Sequence, residues 1–136
     1  MMYIAYMNNE NWKIIYYEND KNKSEIFDYI ESLNLNQKAK ILSWIDILSQ
    51  KGPNLPRPYS DILKDSIHEL RIKITGDQVR VLYFFCYKEY IVLTHSFVKN
   101  TQKIPLKEIE KAKNIRTDFL NRFNADDLRR LYNENI

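Results

Sequence analysis

Three β-rich runs in close succession constrain the fold of this chain most. Apolar, aromatic and β-branched residues fill Ile67–Ile74, Gln78–Tyr87 and Glu89–Lys99. Thr75-Gly76-Asp77 and the short segment Tyr87–Glu89 separate these runs, as the turns of β-hairpins do. The sequence therefore predicts three strands joined in antiparallel hairpins.

The segment before these runs begins with one more predicted strand. Asn11–Glu18 is rich in aromatic and β-branched residues and ends at a polar run. Apolar residues at helical spacing then predict a helix from about Lys21 to Leu33, with Asn19 or Asp20 as its cap.

A second helix is predicted from Gln37 to about Gln50, capped by Asn34 or Asn36. A glycine followed by proline ends it, and Gly52–Pro58 holds three of the four prolines, which predicts a stiff connector. The two helices are expected to form a hairpin that lies on the sheet.

A last long helix is predicted after the third run, opened by Pro105 in its first turn. Its apolar side is predicted to consist of Leu106, Ile109, Ala112, Phe119, Leu120 and Phe123. The tail beyond residue 123 is helix-prone and is expected to be weakly anchored. The fold class is therefore α+β: an N-terminal strand and helix hairpin on an antiparallel-rich twisted sheet, then a C-terminal helix.

Composition narrows the class of protein. At 136 residues with 44% apolar residues, one packed domain is expected. The single cysteine, Cys86, lies in an apolar run without zinc-ligand neighbours and is interpreted as a small buried hydrophobe. The sequence contains no membrane-spanning window and no signal peptide, so a soluble cytoplasmic protein is expected.

Positive charge is concentrated in the segment that carries the strands. Residues 71–123 hold 11 Lys/Arg against 5 Asp/Glu, whereas residues 1–70 hold 8 against 10. Cations inside apolar strands lack a folding reason unless they are paired or bind an anion. Nucleic acid is the commonest polyanion partner of such a basic surface.

Strand alternation assigns these cations to faces of the sheet. It places Glu69, Arg71 and Lys73 together on a polar face, and it places Arg80 beside Leu82 and Phe84. In the last strand, alternation places five side chains on one side of the sheet: Ile91, Leu93, His95, Phe97 and Lys99. Arg80 should then reach a cleft or a carboxylate.

Structural roles compete with functional ones at each position. Arg80 could pair internally with Glu69, and Arg71 and Lys73 could simply face solvent on an edge strand. His95 could be a satisfied core histidine. The lysines from Lys99 onward could form an ordinary solvated surface.

A set of motif residues follows one order along the chain: Leu63, Glu69-Leu70-Arg71, Arg80-Val81-Leu82-Tyr83, Leu93, His95, Phe97, Lys99, Thr101-Gln102-Lys103, Pro105, Glu108-Ile109 and Ala112. This pattern resembles the RelE/HigB toxin superfamily, specifically its phage-derived HigB-like branch. The chain departs from the pattern at Asn100, where a second lysine is usual. Residues 12–123 would form the toxin domain, with an N-terminal extension at 1–11 and a tail, expected to be helical, at 124–136.

The resemblance implies a ribonuclease that cuts mRNA on the ribosome and inhibits translation. It also implies a cognate antitoxin, expected to be a small helix-turn-helix protein, and a toxin–antitoxin hetero-oligomer. No cofactor and no membrane partner are expected. The resemblance further implies metal-free attack of a 2′-OH on the phosphate. The lack of an Asp/Glu/His cluster at metal-ligand spacing is consistent with that chemistry.

Positions in the motif imply roles for individual residues. Arg71 and Arg80 would hold the phosphate, and Lys99 or Lys103 would stabilise charge or donate a proton. Three candidates for the general base stay open: Glu69, Lys73 and His95. Tyr83 or Phe97 could stack on a base, although core packing is the stronger interpretation for both.

Two other classes of function remain alternatives. The first is a catalytically weak or inactive RelE-like module that binds RNA or a partner, which the substitution at Asn100 favours. The second is a phage interaction protein whose basic surface only contacts solvent.

Overall fold

A computed structural model describes residues 3–4 and 11–135 of the chain. Within these residues the strands are β1 (Tyr3–Ile4), β2 (Lys13–Tyr16), β3 (Ser60–Ile62), β4 (His68–Ile74), β5 (Asp77–Cys86) and β6 (Tyr90–Val98). The helices are α1 (Glu25–Ser32), α2 (Leu35–Lys51), α3 (Leu106–Arg122) and α4 (Ala125–Asn135), with short 3₁₀ turns at Gly52–Asn54 and Lys64–Ser66. The predicted α+β fold class is confirmed.

The strands form one mixed sheet in the order β1-β2-β6-β5-β4-β3. In the part of the chain that the structure describes, only β2 and β6 run parallel, and the other neighbours are antiparallel. The predicted hairpins β4–β5 and β5–β6 are both present. Strand β3, which lies in the segment after the proline-rich connector, was not predicted, and it forms one edge of the sheet.

Helices α1 and α2 cover one side of the sheet, which we call the hairpin face. The strand residues buried beneath them include Ile14, Leu70, Ile72, Ile74, Val79, Val81, Tyr83, Ile91 and Leu93. Asn34, one of the two residues predicted to cap α2, does so through a capping box with Gln37. Asn19, a predicted cap of α1, instead accepts the backbone N–H groups of Lys21 and Lys23 in a turn. Helix α1 therefore begins later than predicted, after Ser24.

Helices α3 and α4 cover the opposite side, which we call the α3 face. Its apolar cluster contains Ile15, Ile67, Leu82, Phe84, Tyr90, Val92, Ile109, Ala112, Phe119 and Leu128. Leu128 and Tyr132 of α4 are 0% and 3% exposed. The tail is therefore firmly anchored, and the expectation of weak anchoring was wrong.

Leu106 and Leu120 were predicted to lie on the apolar side of α3. Both are exposed, so these two predictions were also wrong. Pro105 occupies the N-cap position of α3 rather than its first turn. Within the described ranges, no helix combines the length and apolar character that crossing a membrane requires.

Candidate active site

A β-bulge at Thr94 decides which side chains share the α3 face. Leu82 pairs with His95 and Tyr83 pairs with Leu93, so Thr94 is the extra residue. Its hydroxyl donates to the Leu82 carbonyl (3.1 Å), which satisfies an acceptor at the irregular point of the ladder. The simple alternation was therefore wrong here: Leu93 faces the hairpin, whereas His95 and Phe97 turn to the α3 face.

The bulge brings β6 into register with the cations of β4 and β5. Antiparallel partners point to the same side of a sheet, and Arg71 lies opposite Arg80, which lies opposite Phe97. Glu69 and His95 both lie opposite Leu82. These side chains therefore share one face, as do Lys73 and its partner Gln78.

Five alternating charges run from the sheet edge to β5, and we call them the charge row. Arg57 Nε donates to Asp61 Oδ1 (3.0 Å), and Arg71 Nη2 donates to Asp61 Oδ2 (3.2 Å). Arg71 Nε donates to Glu69 Oε1 (2.5 Å), and Arg80 Nε lies 3.6 Å from that same oxygen. The row begins in solvent and ends in the protein interior.

The arginines of the charge row become more buried from the sheet edge to β5. The side chains of Arg57 and Arg71 are 76% and 31% exposed, whereas those of Arg80 and Glu69 are 8% and 1% exposed. Burial works to raise the pKa of Asp61, but the hydrogen bond from Arg57 and the charge of Arg71 outweigh it and hold that pKa below its usual value. Asp61 is therefore ionised at neutral pH.

Arg80 is held largely by charge rather than by well-formed hydrogen bonds. Its Nη1 donates to the Val79 carbonyl (3.2 Å) and its Nη2 to Gln78 Oε1 (3.3 Å). Its Nε and Glu69 Oε2 are buried without a hydrogen-bond partner. Burial lowers the pKa of Arg80, and the carboxylate of Glu69 opposes this shift. The alternative that Arg80 pairs with Glu69 is confirmed.

The three lysines that the sequence singled out lie on β4 and on the segment after β6. Lys73 is exposed on β4, and the backbone N–H of Lys99 donates to the Gln78 carbonyl (2.8 Å). Lys103 is exposed on the loop before α3. Among the residues described, these three lysines lack a carboxylate partner, so they supply charge that is not neutralised within the fold.

His95 is buried and engaged at both ring nitrogens. It is 2% exposed, with Nε2 3.3 Å from Glu108 Oε1 and Nδ1 3.0 Å from Thr94 Oγ1. Burial and then the charge of Lys111 lower its pKa, against the opposing effect of Glu108. The ring is therefore neutral at neutral pH and carries one N–H, and its burial matches the alternative of a core histidine.

The predicted stacking residues are divided between the two faces. Phe97 lies beside His95 on the α3 face, with ring centroids 5.9 Å apart. Tyr83 lies on the hairpin face, is 1% exposed and stacks on His68. Burial raises the pKa of Tyr83 to about 12. The structure does not bring Tyr83 to the surface that holds the other candidate residues.

Sequence reasoning missed Arg57 and Asp61 as part of this site. Both lie in or just after the proline-rich connector, and β3 is three residues long, too short to show alternation. Glu108 was noted only as a motif residue, and its contact with His95 depends on the unpredicted bulge. The only available signal was a pair of opposite charges, Arg57 and Asp61, four positions apart around Pro58.

The arrangement suits the binding of a phosphate rather than of a metal. Among the residues that the structure covers, no group of three or more His, Cys, Asp or Glu side chains could hold a metal ion. Arginines fixed by carboxylates present their remaining N–H groups in a defined direction, as bidentate recognition of phosphate requires.

Together, the small α+β fold and the charge row place three arginines and two carboxylates in one connected set at the β3 edge of the sheet. Residues 28–117, about two thirds of the chain, match the family described as Phage derived protein Gp49-like (DUF891). The chain belongs to this family, which is a type II toxin family related to the RelE/HigB toxins. The comparison with curated proteins finds no match.

Membership confirms the resemblance at the level of the family, and it implies a cognate antitoxin as partner. Assignment to the HigB-like branch stays a prediction. The strands that carry the charge row, β3, β4 and β5, lie inside the matched residues, as does Arg57.

Proposed function

We propose that this protein is the toxin of a type II toxin–antitoxin system and acts in the cytoplasm as a ribosome-dependent mRNA endoribonuclease of the HigB-like branch. The observation that carries the proposal is the placement of Arg71 and Arg80 on one carboxylate oxygen of Glu69, with the unpaired Lys73 on the same face. Residues 12–123 would form the toxin domain, and they include the whole family match.

The proposed reaction is an internal phosphoryl transfer. A base takes the proton of the 2′-OH, the 2′-oxygen bonds to the neighbouring phosphorus, and the bond from phosphorus to the 5′-oxygen breaks. The 5′-oxygen then takes a proton, which leaves a 2′,3′-cyclic phosphate and a 5′-OH. Negative charge builds up on the phosphate oxygens in this step, so fixed cations there stabilise the transition state.

The charge row supplies those cations in this proposal. Arg71, the more exposed of the two arginines, contacts the phosphate first, and Arg80 approaches from the interior side. Lys99 or Lys103 stabilises the leaving oxygen. Lys73 is the most accessible candidate base, since Glu69 and His95 are 1% and 2% exposed.

Expression of the protein without its partner tests the proposal in cells. The protein should arrest growth, and primer extension should show new ends inside translated messages. Arg71→Ala should remove these ends, whereas Arg130→Ala, which changes an exposed arginine on α4, should leave them unchanged. Soluble wild-type protein that induces no new ends would refute the proposal.

The same surface suggests where the antitoxin acts. We propose that an acidic antitoxin segment occupies the surface bounded by Arg71, Arg80 and Lys99, because opposite charge favours that encounter. A crosslinking map of the complex should place contacts on β4 or β5. A map with every contact on Lys21–Ser49 would exclude this docking mode.

A second candidate function is a catalytically inactive RNA- or partner-binding module. The specific observation in its favour is the burial of His95, which keeps both ring nitrogens occupied by Glu108 and Thr94. Asn100 in place of a lysine points the same way. Binding of translating ribosomes without any cut message would support this candidate.

A further inference from the structure

A cavity of about 310 Å³ opens at the β3 edge of the sheet, on the hairpin face. Its lining includes three rings, those of His68, Tyr83 and Phe85, together with Arg57 and Asp61 of the charge row. The cavity and the charge row therefore meet at the edge strand although they occupy opposite faces.

The three rings give the cavity flat apolar walls. His68 stacks on Tyr83 with centroids 5.2 Å apart and planes 21° apart. Phe85 stands nearly perpendicular to both, at 5.0 Å from His68 and 5.6 Å from Tyr83. Planar walls of this kind suit a planar aromatic ligand, such as an unstacked nucleobase.

His68 offers hydrogen bonds that the described part of the fold does not use. It is half-buried and has no hydrogen-bond partner among the residues described. Burial lowers the pKa of His68, and the charge of Asp61 opposes this shift, so the ring is neutral at neutral pH. A neutral imidazole presents one donor and one acceptor, which matches the mixed donor and acceptor edges of nucleobases.

Asp61 joins the cavity to the arginines. It lines the cavity, accepts from Arg57 at 3.0 Å and accepts from Arg71 at 3.2 Å. A nucleotide whose base enters the cavity would therefore have its backbone beside Arg57, at the exposed end of the charge row. The next phosphates along the strand would then lie toward Arg71.

We propose that the cavity lined by His68 and Arg57 binds one unstacked nucleobase of a single-stranded RNA whose phosphates follow the charge row, and so sets which sequence is cut. This inference rests on the proposed ribonuclease function, because it assigns a base-selecting subsite to that surface. It places sequence recognition on the opposite face of the sheet from the proposed chemistry.

Nuclear magnetic resonance of the full chain tests the proposal directly. The sequence has two histidines, His68 and His95, so their ring signals can be assigned with the single variant His68→Phe. Each of the four ribonucleoside 5′-monophosphates is titrated separately. At least one should shift the His68 ring signals while the buried His95 signals stay in place, and ribose 5-phosphate should not.

Two variants define the recognition. Arg57→Ala should weaken nucleotide binding about fivefold, the effect of losing roughly one net hydrogen bond, and Arg130→Ala, with a similarly exposed side chain, should have no effect. His68→Phe retains a ring against Tyr83 but loses both nitrogens, and it should reduce the differences in affinity among the four nucleotides.

The outcomes separate this inference from the proposed function. Equal shifts with ribose 5-phosphate, or no His68 response to any nucleotide, would overturn the inference even if the protein cuts mRNA. Nucleotide binding at His68 in a protein that does not cut would refute the ribonuclease alone. In a protein that cuts, His68→Phe should redistribute the cut positions without abolishing cleavage; unchanged positions would also overturn the inference.

Discussion

Glu69 Oε1 lies 3.6 Å from the Nε of Arg80, and both side chains are buried. The same oxygen also accepts the Nε–H of Arg71 at 2.5 Å. Removal of Arg80 therefore leaves Glu69 with one arginine, whereas removal of Glu69 leaves two adjacent arginines without a carboxylate between them. The two residues of this pair are unequal in what they contribute to the fold.

Arg80→Ala should abolish most cleavage and leave the protein folded. Loss of one charge-assisted donor to the transition state typically costs a rate factor of roughly 100 to 1,000. Arg80→Lys should restore little, because an ammonium cannot reproduce the planar fork of a guanidinium. Cleavage rates and melting temperatures of the two variants check this. An Arg80→Ala protein that cuts at the wild-type rate would exclude a role for Arg80 in the chemistry.

Glu69→Ala should destabilise the protein more than Arg80→Ala does. Breaking a buried ion pair so that charge is left uncompensated costs about 3–5 kcal/mol. Urea unfolding followed by circular dichroism measures the free energy of unfolding of both variants. The reverse order of stability would mean that Arg80, and not Glu69, is the residue on which the charge row depends.

His95 should make stability depend on pH in a definite direction. Its pKa in the folded protein lies below the usual 6.5, so the unfolded chain takes up this proton first as the pH falls. The stabilisation is therefore complete above about pH 6.5 and is lost as the pH drops through the folded-state pKa. It would be measured as the difference in free energy of unfolding between wild type and His95→Gln.

As the pH falls from about 7.5 to about 5.5, the free energy of unfolding of the wild type should decrease relative to that of His95→Gln. His68 titrates in both proteins, so its contribution cancels to first order. Glu108, Lys111 and Glu25 surround His95 electrostatically and remain in both proteins. A difference that stays constant over this range would show that His95 is not held neutral by burial.

The two glycines of the chain provide a matched test of packing. Gly52 has φ +52°, and an added Cβ would overlap the Trp12 ring at Nε1; Gly76 has φ +85° and open space around it. Gly76→Ala should cost about 1–2 kcal/mol from backbone strain alone. Gly52→Ala should cost about 2–4 kcal/mol, because displacement of Trp12 adds to the strain. Equal losses in urea unfolding would contradict the contact with Trp12.

Helix α4 should behave as part of the core. Leu128→Ala removes a fully buried side chain and should cost about 2–5 kcal/mol. Leu120→Ala changes a leucine that is 42% exposed on α3, and it should stay within about 0.5 kcal/mol of wild type. Thermal unfolding of both variants checks this, and a neutral Leu128→Ala would mean that α4 detaches without affecting the fold.

The main strands were predictable because alternation and hairpin turns are local signals. Leu70, Ile72 and Ile74 face the core as their spacing indicates, and Gly76 lies in the turn between β4 and β5. The capping box of Asn34 with Gln37 was predictable for the same reason, since both residues lie within one helical turn.

The site depended on features that leave no local signal. The bulge at Thr94 reverses the alternation of β6, and nothing in the local sequence marks where an extra residue is inserted. Asp61 joins the charge row through a three-residue edge strand whose partner is set by tertiary packing. The burial of Leu128 likewise depends on tertiary packing in the cluster of the α3 face, which the composition of the tail does not indicate.

Cleavage of a defined message by purified protein on translating ribosomes tests the central claim most directly. Primer extension should show wild-type cuts within the translated region, and the products should carry 2′,3′-cyclic phosphate and 5′-OH ends. The cuts should be absent with Arg80→Ala and much weaker when the same message is offered without ribosomes. Folded wild-type protein that leaves the translated message intact would contradict the claim.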